Sequence, residues 1–193
     1  MGRQDIWERF FNSVDGFLVE QSFGRANQDT NYEFKPYEGE TWQKWLNLFE
    51  KALSKGKIVL FGYATCWPDK NENCDFEKMK KSALYNYASY LLIKTEKNAL
   101  FSDSPLINRN ALNERFWLKE FDLDLGAPLG EKYLQNGLWQ RDFEKAKVLV
   151  NPSDNSLVFE FSEELYFANG GRAESPLILH PGSAEILFRK GEW

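Results

Sequence analysis

From Gln4 to Ser13 the apolar positions Ile6, Trp7, Phe10 and Phe11 recur at helical spacing, and from Val14 to Glu20 the pattern turns into a nearly continuous apolar run. The first segment is predicted as a helix and the second as a buried strand. Alternation along that strand sets Gly16, Leu18 and Glu20 on one face and Asp15, Phe17 and Val19 on the other. The polar stretch from Gln21 to Gly39 reads as a long loop at the strand's C-terminal end. Trp42, Trp45, Leu46, Phe49 and Leu53 then form a helical stripe, which Thr41 can cap and Gly56 can end in a left-handed conformation. Lys57 to Tyr63 is predicted as a second strand, buried on both faces. Asp75 is placed to cap a third helix with Phe76, Met79, Ala83, Tyr87, Tyr90 and Leu91 on its inner side and Glu77 and Lys81 as an outward pair. Ala99-Leu100-Phe101 gives a third short strand. Strands alternate with helices, which predicts an α/β fold with a parallel sheet.

Beyond Pro105 the rhythm shortens. Leu138 to Phe143, Val148 to Val150, Leu157 to Phe161, Leu177 to Leu179 and Glu185 to Phe188 are strand-like runs separated by turn formers such as Asn151 to Asn155 and Pro181-Gly182-Ser183. That pattern predicts an antiparallel module. The division is therefore residues 1–110 and 111–193, with no repeat or flexible linker between them, so the two parts are expected to pack together.

Composition narrows the chemistry. Lys plus Arg number 24 and Asp plus Glu 29, a net charge of −5 that argues against binding a phosphate backbone, so nucleic acid is not an expected partner. No stretch approaches the roughly 20 apolar residues that span a bilayer. Aromatic residues reach 16%, which suits either a large aromatic core or sugar stacking. Cys66 and Cys74, the only cysteines, are too few for a disulfide framework or a zinc site; they read as free thiols, with a single bridge across their loop as the alternative. His180 is the only histidine, so two-histidine mechanisms are excluded and acid–base work falls to carboxylates. No metal or cofactor is expected.

Glu20 is the leading candidate, because a carboxylate at the C-terminal end of a buried parallel strand, ahead of a long polar loop, stands where α/β folds place catalysis. Burial in a cleft beside Tyr63 or Trp67 would suit it to acid–base work. Tyr63 and Trp67 follow the second strand and offer faces on which a pyranose ring can stack, with core packing as the alternative. Asp103 ends the third strand, where it can serve as a second carboxylate or cap the segment before Pro105. Arg141 reads as a salt-bridging strand residue and Asn151 as an Asx-turn former ahead of Pro152.

The run Val14-Asp15-Gly16-Phe17-Leu18-Val19-Glu20 resembles a strand of (β/α)8-barrel glycoside hydrolases in which Asp-Gly leads through apolar residues to an acid. The likeness continues through Gly56 to Leu60, through Tyr87 to Ile93, and through Asp124-Leu125-Gly126-Ala127-Pro128-Leu129-Gly130 with Arg141-Asp142-Phe143 and Val148 to Pro152. Where that pattern places a glycine after the Arg-x-Phe turn, this chain has Glu144 to Lys147, which predicts a differently built hairpin. The resemblance implies a partial barrel, about its last three strands, followed by a terminal antiparallel β module. It also implies hydrolysis of glycosidic bonds in a polysaccharide or oligosaccharide, with Glu20 as acid, base or nucleophile. A full barrel needs about 250 residues, so the first half is expected to be missing: either the chain is a gene fragment truncated at Met1, or its other half lies on another chain, or it is a reduced fold that has lost the first strands. A half-barrel exposes sheet edges and the row carrying Gly16 and Leu18, and such surfaces promote self-association. The alternative is a non-catalytic remnant that binds glycans or a protein partner.

Overall fold

The computed structural model describes residues 3–31, 33–62, 75–101 and 117–193. Helix α1 (Arg3–Ser13) leads into strand β1 (Gly16–Val19). The following segment contains two short strands, β2 (Gly24–Arg25) and β3 (Lys35–Pro36), paired antiparallel around a turn of 3-10 helix at Gln28–Thr30. The polar stretch after β1 is thus a small hairpin rather than a plain loop, and Gln21 braces it by exchanging two hydrogen bonds with the backbone of Ala26 at 3.1 and 3.2 Å. Helix α2 (Gly39–Ser54), strand β4 (Ile58–Phe61), helix α3 (Phe76–Ile93) and strand β5 (Ala99–Phe101) complete the region.

Strands β1, β4 and β5 form one parallel sheet in that order, with Leu18 beside Leu60 and Leu60 beside Leu100. All three helices cover the same face. Phe10 and Phe11 of α1 meet Phe17, Phe49 of α2 meets Phe61, and Tyr90 of α3 meets Phe61 and Phe101. The opposite face carries Leu18 (56% exposed), Ile58 (49%) and Leu100 (51%). β4 is therefore buried on one face, not on both, because no described element lies across the other. Gly16 lets β1 close on β4, since a Cβ there would stand 2.6 Å from the carbonyl oxygen of Ile58.

Local signals explain most boundaries. Asp75 caps α3 as predicted, its Oδ1 accepting from the amides of Glu77 and Lys78. Gly56 takes the left-handed conformation (φ +74°) that ends α2. α2 begins at Gly39, two residues before the predicted cap Thr41, with Glu38 at the N-cap position. Glu77 pairs with Lys80 rather than Lys81.

Strands β6 (Tyr133–Gln135), β7 (Leu138–Asp142), β8 (Ala146–Asn151), β9 (Leu157–Phe159), β10 (Leu165–Tyr166), β11 (Leu177–Leu179) and β12 (Ser183–Arg189) make up the C-terminal region. Five of them form an antiparallel sheet in the order β10-β12-β8-β7-β6, and β9 pairs with β11 in a separate ribbon. β6 escaped the sequence reading although Asn136-Gly137 (φ +52° and +83°) is a strong two-residue hairpin signal. The β7–β8 turn needs no glycine after Phe143. It closes with the Phe143 amide on the carbonyl of Ala146 at 2.8 Å, and Gly126 lies so close to Glu144 that a Cβ would stand 2.7 Å from its side chain. The Asp-Leu-Gly-Ala-Pro stretch and the Arg-x-Phe turn, far apart in sequence, thus clasp one another.

One core joins the two regions. Phe11, Phe23, Trp42, Phe49, Phe61, Tyr85 and Leu91 pack in the same cluster as Phe143, Val148, Val150, Ile186 and Phe188. Much of the aromatic excess is spent here. Arg141 fastens the joint: its Nη1 donates to the carbonyls of Leu91, Leu92 and Lys94 at the end of α3 at 3.0, 3.2 and 2.9 Å, and its Nε donates to Gly130 at 3.0 Å. A buried cation is thereby aimed at the negative end of a helix dipole. Arg141 is a helix cap, not a salt-bridging residue; no ion pair to it occurs among the described residues. Asn151 forms the predicted Asx turn, accepting from the Ser153 amide at 3.0 Å, and also donates to the carbonyls of Asn155, Leu179 and His180.

Candidate functional site

The C-terminal edge of the parallel sheet carries Glu20 directly after β1. The surrounding backbone is clamped across to β4. The Gly62 amide donates to the carbonyl of Val19 at 2.8 Å, and the Gly62 carbonyl accepts from the Ser22 hydroxyl at 2.6 Å and the Ser22 amide at 3.3 Å. One residue on, the Phe23 amide donates to Oδ1 of Asn86, whose Nδ2 donates to the Ser82 carbonyl within α3. Glu20 therefore sits on a bend held from both sides. Gly62 allows that approach, since a Cβ there would lie 3.3 Å from the Val19 carbonyl oxygen and 3.6 Å from Cα of Glu20.

The Glu20 side chain is exposed rather than buried in a cleft as expected, because the face of β1 that it continues has no described element across it, and it makes no hydrogen bond or ion pair with the described residues. None of the described residues takes up the capacity of its oxygens to accept hydrogen bonds from a ligand or a water. Tyr63, Trp67 and Asp103, the other predicted site residues, lie outside the described residues, as do Cys66 and Cys74. β4 ends at Phe61 and β5 at Phe101, both on the edge where β1 ends.

Ser22, Gly62 and Asn86 fix the bend that carries Glu20, a part the sequence analysis did not give them. Asn86 could have been found, because a polar residue between Tyr85 and Tyr87 on the inner side of an apolar helix needs a buried partner. Ser22 and Gly62 carry no pattern of their own.

Two other polar groupings differ from Glu20. In the antiparallel sheet the Tyr133 hydroxyl donates to Asp142 at 2.8 Å and accepts from Lys147 at 3.2 Å, while Lys147 is ion-paired with Asp142. That cluster satisfies itself and has little left for a ligand. Glu185 on β12 is partly buried beside apolar neighbours, and burial, with a smaller contribution from Glu120, pushes its carboxyl up to about 7. Among the described residues no group of three or more His, Cys, Asp or Glu side chains is arranged to hold a metal ion. No helix among them is long and apolar enough to cross a membrane.

A parallel sheet wound in sequential order, covered by helices on one face and bearing an exposed carboxylate at its C-terminal edge, defines a mixed α/β protein with antiparallel sheets appended. Residues 4–147, about three-quarters of the chain, match the family described as Hypothetical glycosyl hydrolase family 15, and the chain belongs to that family. The matched stretch contains Glu20, the Asp-Leu-Gly-Ala-Pro segment and the Arg-x-Phe turn. A search of curated proteins finds no match. Family membership implies a carbohydrate as the class of substrate.

Proposed function

We propose that the chain is part of a (β/α)8-barrel glycoside hydrolase and that Glu20 acts on the glycosidic bond as acid, base or nucleophile. The observation that carries this reading is the placement of Glu20, an exposed carboxylate on a clamped bend at the C-terminal edge of a sequentially wound parallel sheet. In a doubly wound sheet helices lie on both faces; here all three lie on one, which leaves the other to face a barrel interior. Tyr63 and Trp67 are assigned to substrate stacking and Asp103 to substrate contact, since the chain runs toward them from the same edge.

Glycoside hydrolysis uses two carboxyl groups, about 5–5.5 Å apart for retention or about 6.5–9.5 Å apart for inversion. Glu20 supplies one. The barrel reading takes the second, and the strands beyond the three described, from outside the described sheet. The open Leu18, Ile58 and Leu100 face supports a second reading, a glycan-binding remnant that does not hydrolyse.

Oligosaccharide binding and hydrolysis, compared between the wild-type chain and Glu20→Gln, separate these readings. Hydrolysis lowered about 100-fold or more with binding retained is the expected result, in line with loss of acid–base catalysis. Binding without hydrolysis in both proteins selects the remnant. Identical behaviour of the two proteins in hydrolysis removes Glu20 from the mechanism.

A further inference from the structure

A cavity of about 270 Å³ lies beside β5, lined by Tyr87, Tyr90, Leu100, Phe101, Trp117 and Phe121. It stands at the opposite edge of the parallel sheet from Glu20, with β4 between, so roughly 10 Å separates the two strands. Its aromatic wall is fixed ring by ring. Phe121 meets Tyr87 edge-to-face at 4.9 Å, Trp117 meets Phe121 edge-to-face at 5.4 Å, and Tyr87 rests on Phe101 at 5.1 Å. The Trp117 indole is 49% exposed, yet its orientation is set by a 2.7 Å hydrogen bond from Nε1 to Oδ2 of Asp122. A large apolar ring held in place while half its surface meets solvent is pre-organised to receive a flat ligand.

The polar lining is selective. Tyr90 already donates its hydroxyl to the carbonyl of Ala99 at 3.1 Å. The Tyr87 hydroxyl has no hydrogen-bond partner among the described residues. Burial, reinforced by the Glu120 carboxylate, pushes it up to about 12, so it stays protonated and can donate. Among the described residues no cationic side chain lines the cavity, and Glu120 and Asp122 disfavour an anion.

We propose that this cavity is a subsite for one neutral pyranose unit of a glycan, with Trp117 as the stacking platform and the Tyr87 hydroxyl as the polar anchor. A pyranose presents an apolar C–H face for the indole and a rim of hydroxyls for Tyr87, and the volume, just below the range of pockets for drug-sized ligands, suits a single ring. The assignment rests on the carbohydrate reading but not on Glu20 or on hydrolysis.

Calorimetric titration of the full chain with neutral tetrasaccharides (cellotetraose, xylotetraose, mannotetraose and maltotetraose) tests it. At least one should bind, Trp117→Ala should weaken it about tenfold, equivalent to about 1.4 kcal/mol, and Tyr87→Phe should weaken it less while keeping the ring. Ile178→Ser, at an exposed position of the β9–β11 ribbon, should bind as the wild type does. Circular dichroism of each variant confirms that the fold is intact. Equal binding by wild type and Trp117→Ala overturns the subsite and leaves the carbohydrate reading standing. Equally tight binding of an acidic tetrasaccharide such as tetragalacturonate overturns the neutral-sugar assignment. Failure of all the sugars to bind wild type, with no hydrolysis of them, overturns both.

Discussion

In the five-stranded antiparallel sheet both faces are covered: Val148, Val150, Ile186 and Phe188 face the cluster shared with the helices, while Leu149 and Leu187 face the β9–β11 ribbon. In the three-stranded parallel sheet one face is packed with Phe17, Val59, Phe61 and Phe101, and the other leaves Leu18, Ile58 and Leu100 about half exposed. Parallel sheets are ordinarily buried on both faces. The antiparallel region completes itself, and the parallel region does not. The covered sheet ties Tyr133, Asp142 and Lys147 into a closed network, and the half-covered one carries the exposed Glu20 carboxylate and the aromatic cavity.

The comparison can be broken at its joint. Arg141→Met leaves the carbonyls of Leu91, Leu92 and Lys94 without their donor and should lower stability by about 2–4 kcal/mol. Urea unfolding followed by circular dichroism should show one transition at a lower midpoint, because the two regions share a core. Two separated transitions would mean that each region stands alone.

A somewhat smaller effect is expected from Glu185, inside the covered region. Its carboxyl lies at about 7 in the folded chain against an ordinary value of 4.5. Between those values the folded state keeps a proton that the unfolded state has lost. Its contribution is therefore fully present below about pH 4.5, declines as pH rises, and is gone above about 7. Glu185→Gln should flatten this dependence and raise stability at pH 8 by on the order of 2–3 kcal/mol. Thermal melts across pH 5–8 measure it, and an unchanged slope in the variant would contradict the assignment.

The smallest expected effect sharpens the contrast from the other side. Leu18→Lys places a charge on the open face, where it should change stability by less than about 0.5 kcal/mol. It should nonetheless reduce self-association in sedimentation velocity, since an exposed apolar row is what drives such pairing. A large loss of stability would show that this face is covered after all.

Period and punctuation made the central features legible in the sequence. The Asp75 cap, the Gly56 stop, the strand at Ala99–Phe101 and the neighbouring parallel course of β1 and β4 follow from residue type and spacing. Depth was harder to read. The Ile58 to Phe61 run looks alike whether one face or two are covered, because hydrophobicity records what a residue tolerates and not what lies over it. Arg141 was misjudged for a related reason: its partners are backbone carbonyls about 50 positions earlier, and carbonyls leave no mark in a sequence. Of the candidate site, Glu20 was visible from its strand-end position, but the clamp through Ser22, Gly62 and Asn86 depends on contacts between distant segments.

The Arg141 cap also bears on how the chain is made. Helix and hairpin segments form within microseconds, far faster than a ribosome adds residues. α3 is complete in sequence by Ile93, yet its last carbonyls have to wait for Arg141, and Trp42 and Leu91 wait longer still for Phe188. During that interval the earlier half carries wet helix ends and uncovered aromatic rings, so its burial is finished only when the final strand, β12, has emerged.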